Sequence, residues 1–260
     1  LALIALYMRL RIEESPAYEQ MSENKQQPPN GGWQQFEQTV VRHRKSLLIT
    51  IGLELAENAT TYLLTGYLPT YLKQVGRISG GTGLMMIMMV LIMMLVTVVF
   101  VAKLSDRVGR KPILWTGCGL LIVCSIPAFL LIRCGGAYSV RLIGVILIGA
   151  MLLCFNATTP STLPALFPTS VRYFAVAIGF NVSVSAFGGT TPLVAEALVS
   201  GTGNVMVPAF ILMAAGLVGA ITVWFTPETA GKRLPGSGPS VANEQEARAV
   251  VEAGLQESAL

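Results

Sequence analysis

The apolar residues of this chain fall into long blocks instead of the alternating or one-sided patterns of soluble strands and helices. Six stretches, 47–72, 83–102, 113–132, 140–163, 173–199 and 207–226, are rich in apolar residues and nearly free of charge. Each is long enough to cross a hydrocarbon core of ~30 Å, which takes ~20 helical residues. The pattern predicts an all-α membrane protein, a six-transmembrane-helix bundle. The connections between blocks run to roughly six to ten residues, so consecutive spans are expected to be antiparallel neighbours.

The same pattern divides the chain. Residues 1–8 are almost wholly apolar but too few to span, and they read as the end of a preceding transmembrane helix. Further helices are therefore expected upstream. A signal peptide would show a basic start and a small-residue cleavage site, which this stretch lacks. Segment 9–46 is polar, with Gln, Pro and Gly crowded between Gln26 and Gly32, and reads as a connecting loop. Within it, Ser15 and Pro16 resemble a helix start. The bundle occupies 47–226, and 227–260 is a polar tail. In that tail, a Pro/Gly/Ser linker at 235–240 precedes a helix-favouring stretch at 241–253 that is too short for a coiled coil.

Composition agrees: the 260 residues are 53% hydrophobic and 12% charged, against about a quarter charged in soluble domains. Charge placement adds an orientation, because Lys and Arg near span ends stay on the cytoplasmic side. With 9–46 cytoplasmic, the segments on that side carry fourteen Lys and Arg, and the opposite side carries four: Lys73, Arg77, Arg133 and Arg141. The tail is then cytoplasmic too. The net charge of +4 is thus a topology signal, and no basic patch calls for nucleic acid. Cys118, Cys124, Cys134 and Cys154 sit in or at the ends of apolar spans without a CxxC pair, as small packing residues do. His43, between Arg42 and Arg44, reads as a solvated surface residue.

The chemistry concentrates in the first span. Glu54, Glu57, Asn58, Thr61 and Thr65 share one helical face, a polar stripe in a membrane helix. At 1.5 Å per residue Glu57 lies ~15 Å in from Leu47, near the bilayer midplane. A charged side chain there costs ~2.5–3.5 kcal/mol or more on insertion scales. The stripe must therefore face protein or a water-filled cavity. One reading is a glutamate that bonds a neighbouring helix; the other is a transport cavity in which two close carboxylates carry a proton. Glu196 is a third acid in a span, near the outer end, where it is expected to reach the interface. Asn156, Thr158 and Thr159 in the fourth span and Asn181, Ser183 and Ser185 in the fifth serve equally well as interhelical glue or ligand contacts. Pro160, Pro164 and the run Gly188 to Pro192 interrupt those two spans, as helices lining a cavity do. No His, Ser or Cys constellation and no metal-ligand cluster lies within the spans, so neither an enzyme nor a metal site is expected.

The sharpest motif is the link between the second and third spans, Ala102-Lys-Leu-Ser-Asp-Arg-Val-Gly-Arg-Lys111. Gly109 permits the turn, Asp106 suits a helix N-terminus, and Arg107, Arg110 and Lys111 hold the loop inside. This spacing resembles the loop signature of the major facilitator superfamily, with Ala102 where Gly usually begins it. Leu6–Tyr18, Thr65–Leu72, Leu104–Pro112, Ser161–Tyr173 and Gly179–Val184 further resemble that superfamily's metabolite:proton symporter group, and most of all its proline/glycine betaine transporters.

The resemblance implies twelve helices in two six-helix halves, with this chain supplying the end of helix 6 and helices 7–12. It implies proton symport of a small zwitterionic solute such as proline or glycine betaine across the bacterial inner membrane, with loop 9–46 and the tail cytoplasmic. No cofactor is implied; the proton gradient is the driving force, and an N-terminal six-helix half and membrane lipid are the required partners. The group's proton-coupling charges lie in that other half. The loop acts as a gate latch, with Asp106, Arg107, Gly109 and Arg110 as its residues and Asp106 and Arg110 as partners. Glu54 and Glu57 depart from the betaine group, whose seventh helix is more often neutral there. The expected substrate and proton cavity comprises Glu54, Glu57, Asn58, Thr61, Tyr62, Asn156 and Asn181. With no mid-membrane Lys or Arg to pair with an anion, a zwitterion or cation fits better than a dicarboxylate, and Tyr62 and Tyr67 suit an ammonium group. The alternatives are symport of carboxylates such as 2-oxoglutarate, citrate or shikimate, or a truncated piece that is inert by itself.

Overall fold

The computed structural model describes residues 38–134 and 136–231, and the regular structure among them is helical throughout. The predicted stub at 1–8, the helix start at Ser15 and the tail segments at 235–253 lie outside the described residues. A π turn (Gln38–Arg42) leads into α1 (Arg44–Tyr62), and a second π turn (Leu63–Tyr67) joins α1 to α2 (Leu68–Gln74). There follow α3 (Gly80–Val108), α4 (Arg110–Cys134), α5 (Tyr138–Ala165) and α6 (Thr169–Ser183). A third π turn (Val184–Gly188) precedes α7 (Thr191–Thr202), and α8 (Val207–Phe225) completes the bundle.

The ends follow from local chemistry. Ser79 Oγ accepts the Thr82 backbone N–H at 3.3 Å and starts α3. Pro69, Pro192 and Pro208 each stand in a first turn, where a missing N–H breaks no helical bond. Gly203, in the left-handed region at φ 69°, ends α7.

Five helical segments, 80–108, 110–134, 138–165, 171–202 and 207–225, are long and apolar enough to cross a membrane. The sixth predicted span is helical from Arg44 to Gln74 but falls short of that measure, since Arg44, Lys45, Glu54 and Glu57 all lie within α1. The connections are shorter than expected: 75–79, Gly109 alone, 166–168 and 203–206. Polar flanks such as Lys103–Val108 simply continue the helices beyond their apolar blocks.

Sequence neighbours touch, but the broader packing joins α4 with α5 and α8, α1 with α8 and α6, and α3 with α5. Small residues permit the close crossings. A Cβ built on Gly144 would stand 2.6 Å from the Ala128 carbonyl oxygen, and one on Gly149 would stand 2.5 Å from Val90 Cγ1. Tyr71, Phe129 and Phe155 fill the core without exposure. Outside, α3 exposes Met85, Met88, Ile92, Leu95 and Phe100, and α8 exposes Ile221, Trp224 and Phe225. Apolar faces of this kind suit lipid, not water.

Candidate functional site

The polar stripe of α1 divides into two hydrogen-bonded parts. Glu54 is buried, and its Oε2 accepts from Asn58 Nδ2 at 2.8 Å, while the same amide group donates to the Glu54 backbone oxygen at 2.9 Å. This pair closes on its own helix. Glu57 is half-buried and reaches across to α5, where its Oε2 is hydrogen-bonded to Thr159 Oγ1. Thr159 Oγ1 also stands 2.9 Å from the Phe155 carbonyl oxygen. Further along α1, half-buried Thr61 donates to the Glu57 carbonyl at 2.9 Å, and exposed Thr65 donates to the Thr61 carbonyl at 2.7 Å.

Thr159 lies six residues, or ~9 Å, from the end of α5 at Ala165, so the carboxyl meets α5 nearer its C-terminal end than its middle.

Other predicted residues scatter. Asn156 is half-buried, one turn before Pro160. Proline has no N–H to give the carbonyl four residues back, so Pro160 and Pro164 deprive the Asn156 and Pro160 carbonyls of their helical bonds. Tyr62 lies over Gly188, where a Cβ would meet its Cε2 at 2.7 Å. The first and fifth spans, each broken by a π turn, thus touch where Tyr62 at the end of α1 meets the second of those turns. Asn181 is exposed on α6, donates to the Ala177 carbonyl at 2.8 Å, and lines a separate 430 Å³ groove with Pro164, Tyr173 and Phe180. Ser183 is glue, donating to the Ile51 carbonyl of α1 at 3.5 Å.

Tyr67 is buried beside Tyr71, with ring centroids 6.1 Å apart, and so presents no open face to an ammonium group. Glu196 is half-buried; its Oε2 is buried without a hydrogen-bond partner, in electrostatic contact with Tyr67. Of the cysteines, Cys118 is buried and Cys134 exposed, and all four are free thiols. His43 is half-buried and sets its ring edgewise to Phe167, 6.5 Å away.

The loop motif forms a second site. Only Gly109, at φ 111°, separates α3 from α4. Asp106 lies in the last turn of α3 and not at a helix N-terminus, because α3 runs on to Val108. It pairs across the turn with Arg110, Nη2 to Oδ1, at 3.7 Å. Arg110 Nη1 donates to the Ser161 carbonyl of α5 at 2.9 Å and to Thr229 Oγ1 at 3.2 Å. Arg107 is exposed.

The N-terminus of α4 is served instead by Glu228, which the sequence reading missed. Its carboxylate accepts the backbone N–H groups of Arg110 (3.1 Å), Lys111 (3.0 Å), Thr229 (2.9 Å) and Ala230 (2.9 Å). Burial alone would push this carboxyl up, but the four N–H bonds outweigh it and hold Glu228 below the usual carboxylate range. Lys111 Nζ in turn donates to the Trp224 carbonyl at the end of α8, at 3.1 Å. An acid just past the last span, beside Pro227, was the available signal. Nothing in the sequence tied it to a loop 117 residues away.

A lipid-facing helical bundle with an internal acid-bearing face and a loop tied to α5 and to the end of α8 is the architecture of a membrane protein. The chain belongs to the sugar (and other) transporter family, whose model matches residues 3–236, within the major facilitator superfamily. It is 38% identical over 256 residues to the proline/betaine transporter of Escherichia coli K12, covering 96% of this chain and 51% of that protein. The putative proline/betaine transporter of Staphylococcus aureus strain COL is 37% identical (95% and 52% covered). The glycine betaine/proline/ectoine/pipecolic acid transporter of Dickeya dadantii is also 37% identical (97% and 51%). The chain spans about half the length of these curated relatives. No solved structure matches it.

Proposed function

We propose that this bundle is the C-terminal half, helices 7–12, of a proton symporter for compatible solutes such as proline and glycine betaine. The observation that carries the reading is the Glu57 to Thr159 contact, an acid held between two spans and continued outward by Thr61 and Thr65. It belongs to a chain whose relatives are named for proline and betaine transport. An acidic site without a neighbouring Lys or Arg favours a zwitterion or cation over a dicarboxylate. The cavity of this reading is built from Glu54, Glu57, Asn58, Thr61, Tyr62 and Asn156. Asn181, expected in the same cavity, lies instead on the separate groove of α6.

In this reading the protein sits in the bacterial inner membrane with 9–46 and 227–260 cytoplasmic, following the bias of Lys and Arg. The α3–α4 loop, Arg110 and Glu228 latch the cytoplasmic side, and a six-helix N-terminal half completes the route. Coexpression with such a half, followed by uptake of labelled proline, glycine betaine and 2-oxoglutarate with and without a proton gradient, tests it. Gradient-dependent betaine or proline uptake is expected. Faster uptake of the dicarboxylate would refute the substrate assignment.

A further inference from the structure

Hydrogen-bond accounting separates the two glutamates. Asn58 offers the Glu54 side chain an N–H donor, so Glu54 Oε2 needs only to accept. Thr159 has one hydroxyl hydrogen and two oxygen neighbours, Glu57 Oε2 and the Phe155 carbonyl oxygen. The carbonyl oxygen cannot donate. Two separate two-centre hydrogen bonds, as opposed to one hydrogen shared between both acceptors, require that the Thr159 hydroxyl donates to Phe155 and that the hydrogen between Oε2 and Oγ1 belongs to Glu57.

We propose that Glu57 is a proton-binding site of this transporter and that Thr159 is its positioning residue, holding the acid in both of its states. With the proton on, Glu57 Oε2–H donates to Thr159 Oγ1. With the proton released to water along the Thr61 and Thr65 face, the Thr159 hydroxyl turns from Phe155 and donates to the Glu57 carboxylate. No other atom moves between partners, and α1 stays tied to α5 throughout. A Val in place of Thr159 supplies neither role, whereas a Ser supplies both.

The surroundings suit such a site. Glu54, one turn earlier on α1, is in electrostatic contact with Glu57. Of the elements packed against α1, the first π turn carries Arg42 and the second Tyr67, α5 carries Tyr138, Arg141 and Cys154, α6 carries Arg172 and Tyr173, α7 carries Glu196 near Tyr67, and α8 carries no ionisable residue. The Glu57 carboxyl is governed by its burial and its contact with Thr159.

The idea rests on the transport reading only for the use made of the proton. Its test therefore reads the proton directly, in the full 260-residue chain in lipid bilayers, by infrared difference spectroscopy across a pH titration in H2O and D2O. A protonated-carboxyl C=O band that fades with rising pH and shifts in D2O is expected. Glu57→Gln should abolish it and Glu54→Gln should keep it. Thr159→Val should move it to higher frequency by removing its acceptor, and Thr159→Ser should restore it. A band that survives Glu57→Gln, vanishes in Glu54→Gln, or is absent throughout the titration overturns the proposal. Circular dichroism of each variant identifies loss of fold. If Glu57→Gln fails to fold, the Thr159→Val and Thr159→Ser pair decides, and equal band positions in the two refute it. Loss of betaine uptake with the band intact would refute the substrate and leave the proton site standing.

Discussion

Replacing Glu228 by Ala removes the acceptor for two N–H groups in the first turn of α4 and two in its own turn. Four lost bonds do not mean four full penalties, because the half-buried site admits water to the freed donors. Loss of an N-terminal cap costs about 0.5–2 kcal/mol, and loss of a negative charge at a helix N-terminus about 0.3–1 kcal/mol. The two descriptions overlap, so Glu228→Ala should destabilise the bundle by about 1–2 kcal/mol. Glu228→Gln keeps an acceptor oxygen and should cost less than Ala.

The pH dependence follows from the depressed carboxyl. A group whose folded value lies below its unfolded one stabilises fully above the unfolded value, about 4.3 for Glu, and loses that contribution as pH falls through the folded value. The gap between wild type and Glu228→Gln should thus be constant near pH 7 and shrink once pH drops below about 4. Thermal unfolding in lipid nanodiscs measures it. Trp224, whose carbonyl accepts from Lys111 and whose ring meets Trp115 edgewise at 6.4 Å, gives a local fluorescence reading. Equal unfolding temperatures for wild type and Glu228→Ala at neutral pH would refute the capping argument. A gap that persists undiminished in acid would show that the charge is not its source.

Two glycines carry further predictions. Gly109→Ala should destabilise by about 1–3 kcal/mol, since φ 111° is strained for any side chain and the new Cβ would stand 2.8 Å from Glu228 Oε2; thermal unfolding of this variant and of Gly109→Ala/Glu228→Ala separates backbone strain from the clash. Gly144→Ala should cost about 1–3 kcal/mol, because its Cβ would meet the backbone oxygen of Ala128 and force α4 and α5 apart; a melting temperature equal to wild type would contradict that crossing.

The helical bundle and five of its six predicted spans were legible because a membrane helix must be long and apolar, and that requirement is local. The packing order was not, since α3 meets α5 and α1 meets α6 through small residues whose partners lie far along the chain. The stripe was legible as a face, because Glu54, Glu57, Asn58, Thr61 and Thr65 obey helical spacing. Its division into a buried intrahelical pair and a cross-helix tie depends on where Thr159 arrives. Gly109 was legible as the turn of the motif, and the Asp106 to Arg110 pair only through the family resemblance that the motif carries. The role given to Asp106 at a helix start was not sustained, because α3 extends through the motif; Glu228 fills that role from the far end of the bundle.

The two sites converge on one turn of α5. Thr159 bonds Glu57 of α1, and two residues later the Ser161 carbonyl accepts Arg110 from the α3–α4 loop. Pro160 lies between them and denies Asn156 a helical partner, so this turn is held in part by the neighbours it contacts. Contacts that share a support should be energetically coupled. A double-mutant cycle of Glu57→Gln and Arg110→Ala, read by thermal unfolding at neutral pH, should depart from additivity by about 0.5 kcal/mol or more. Pro160→Ala, which restores the missing N–H and stiffens the turn, should change that coupling. Additivity within about 0.3 kcal/mol would mean that the state of Glu57 does not reach the α3–α4 loop through α5.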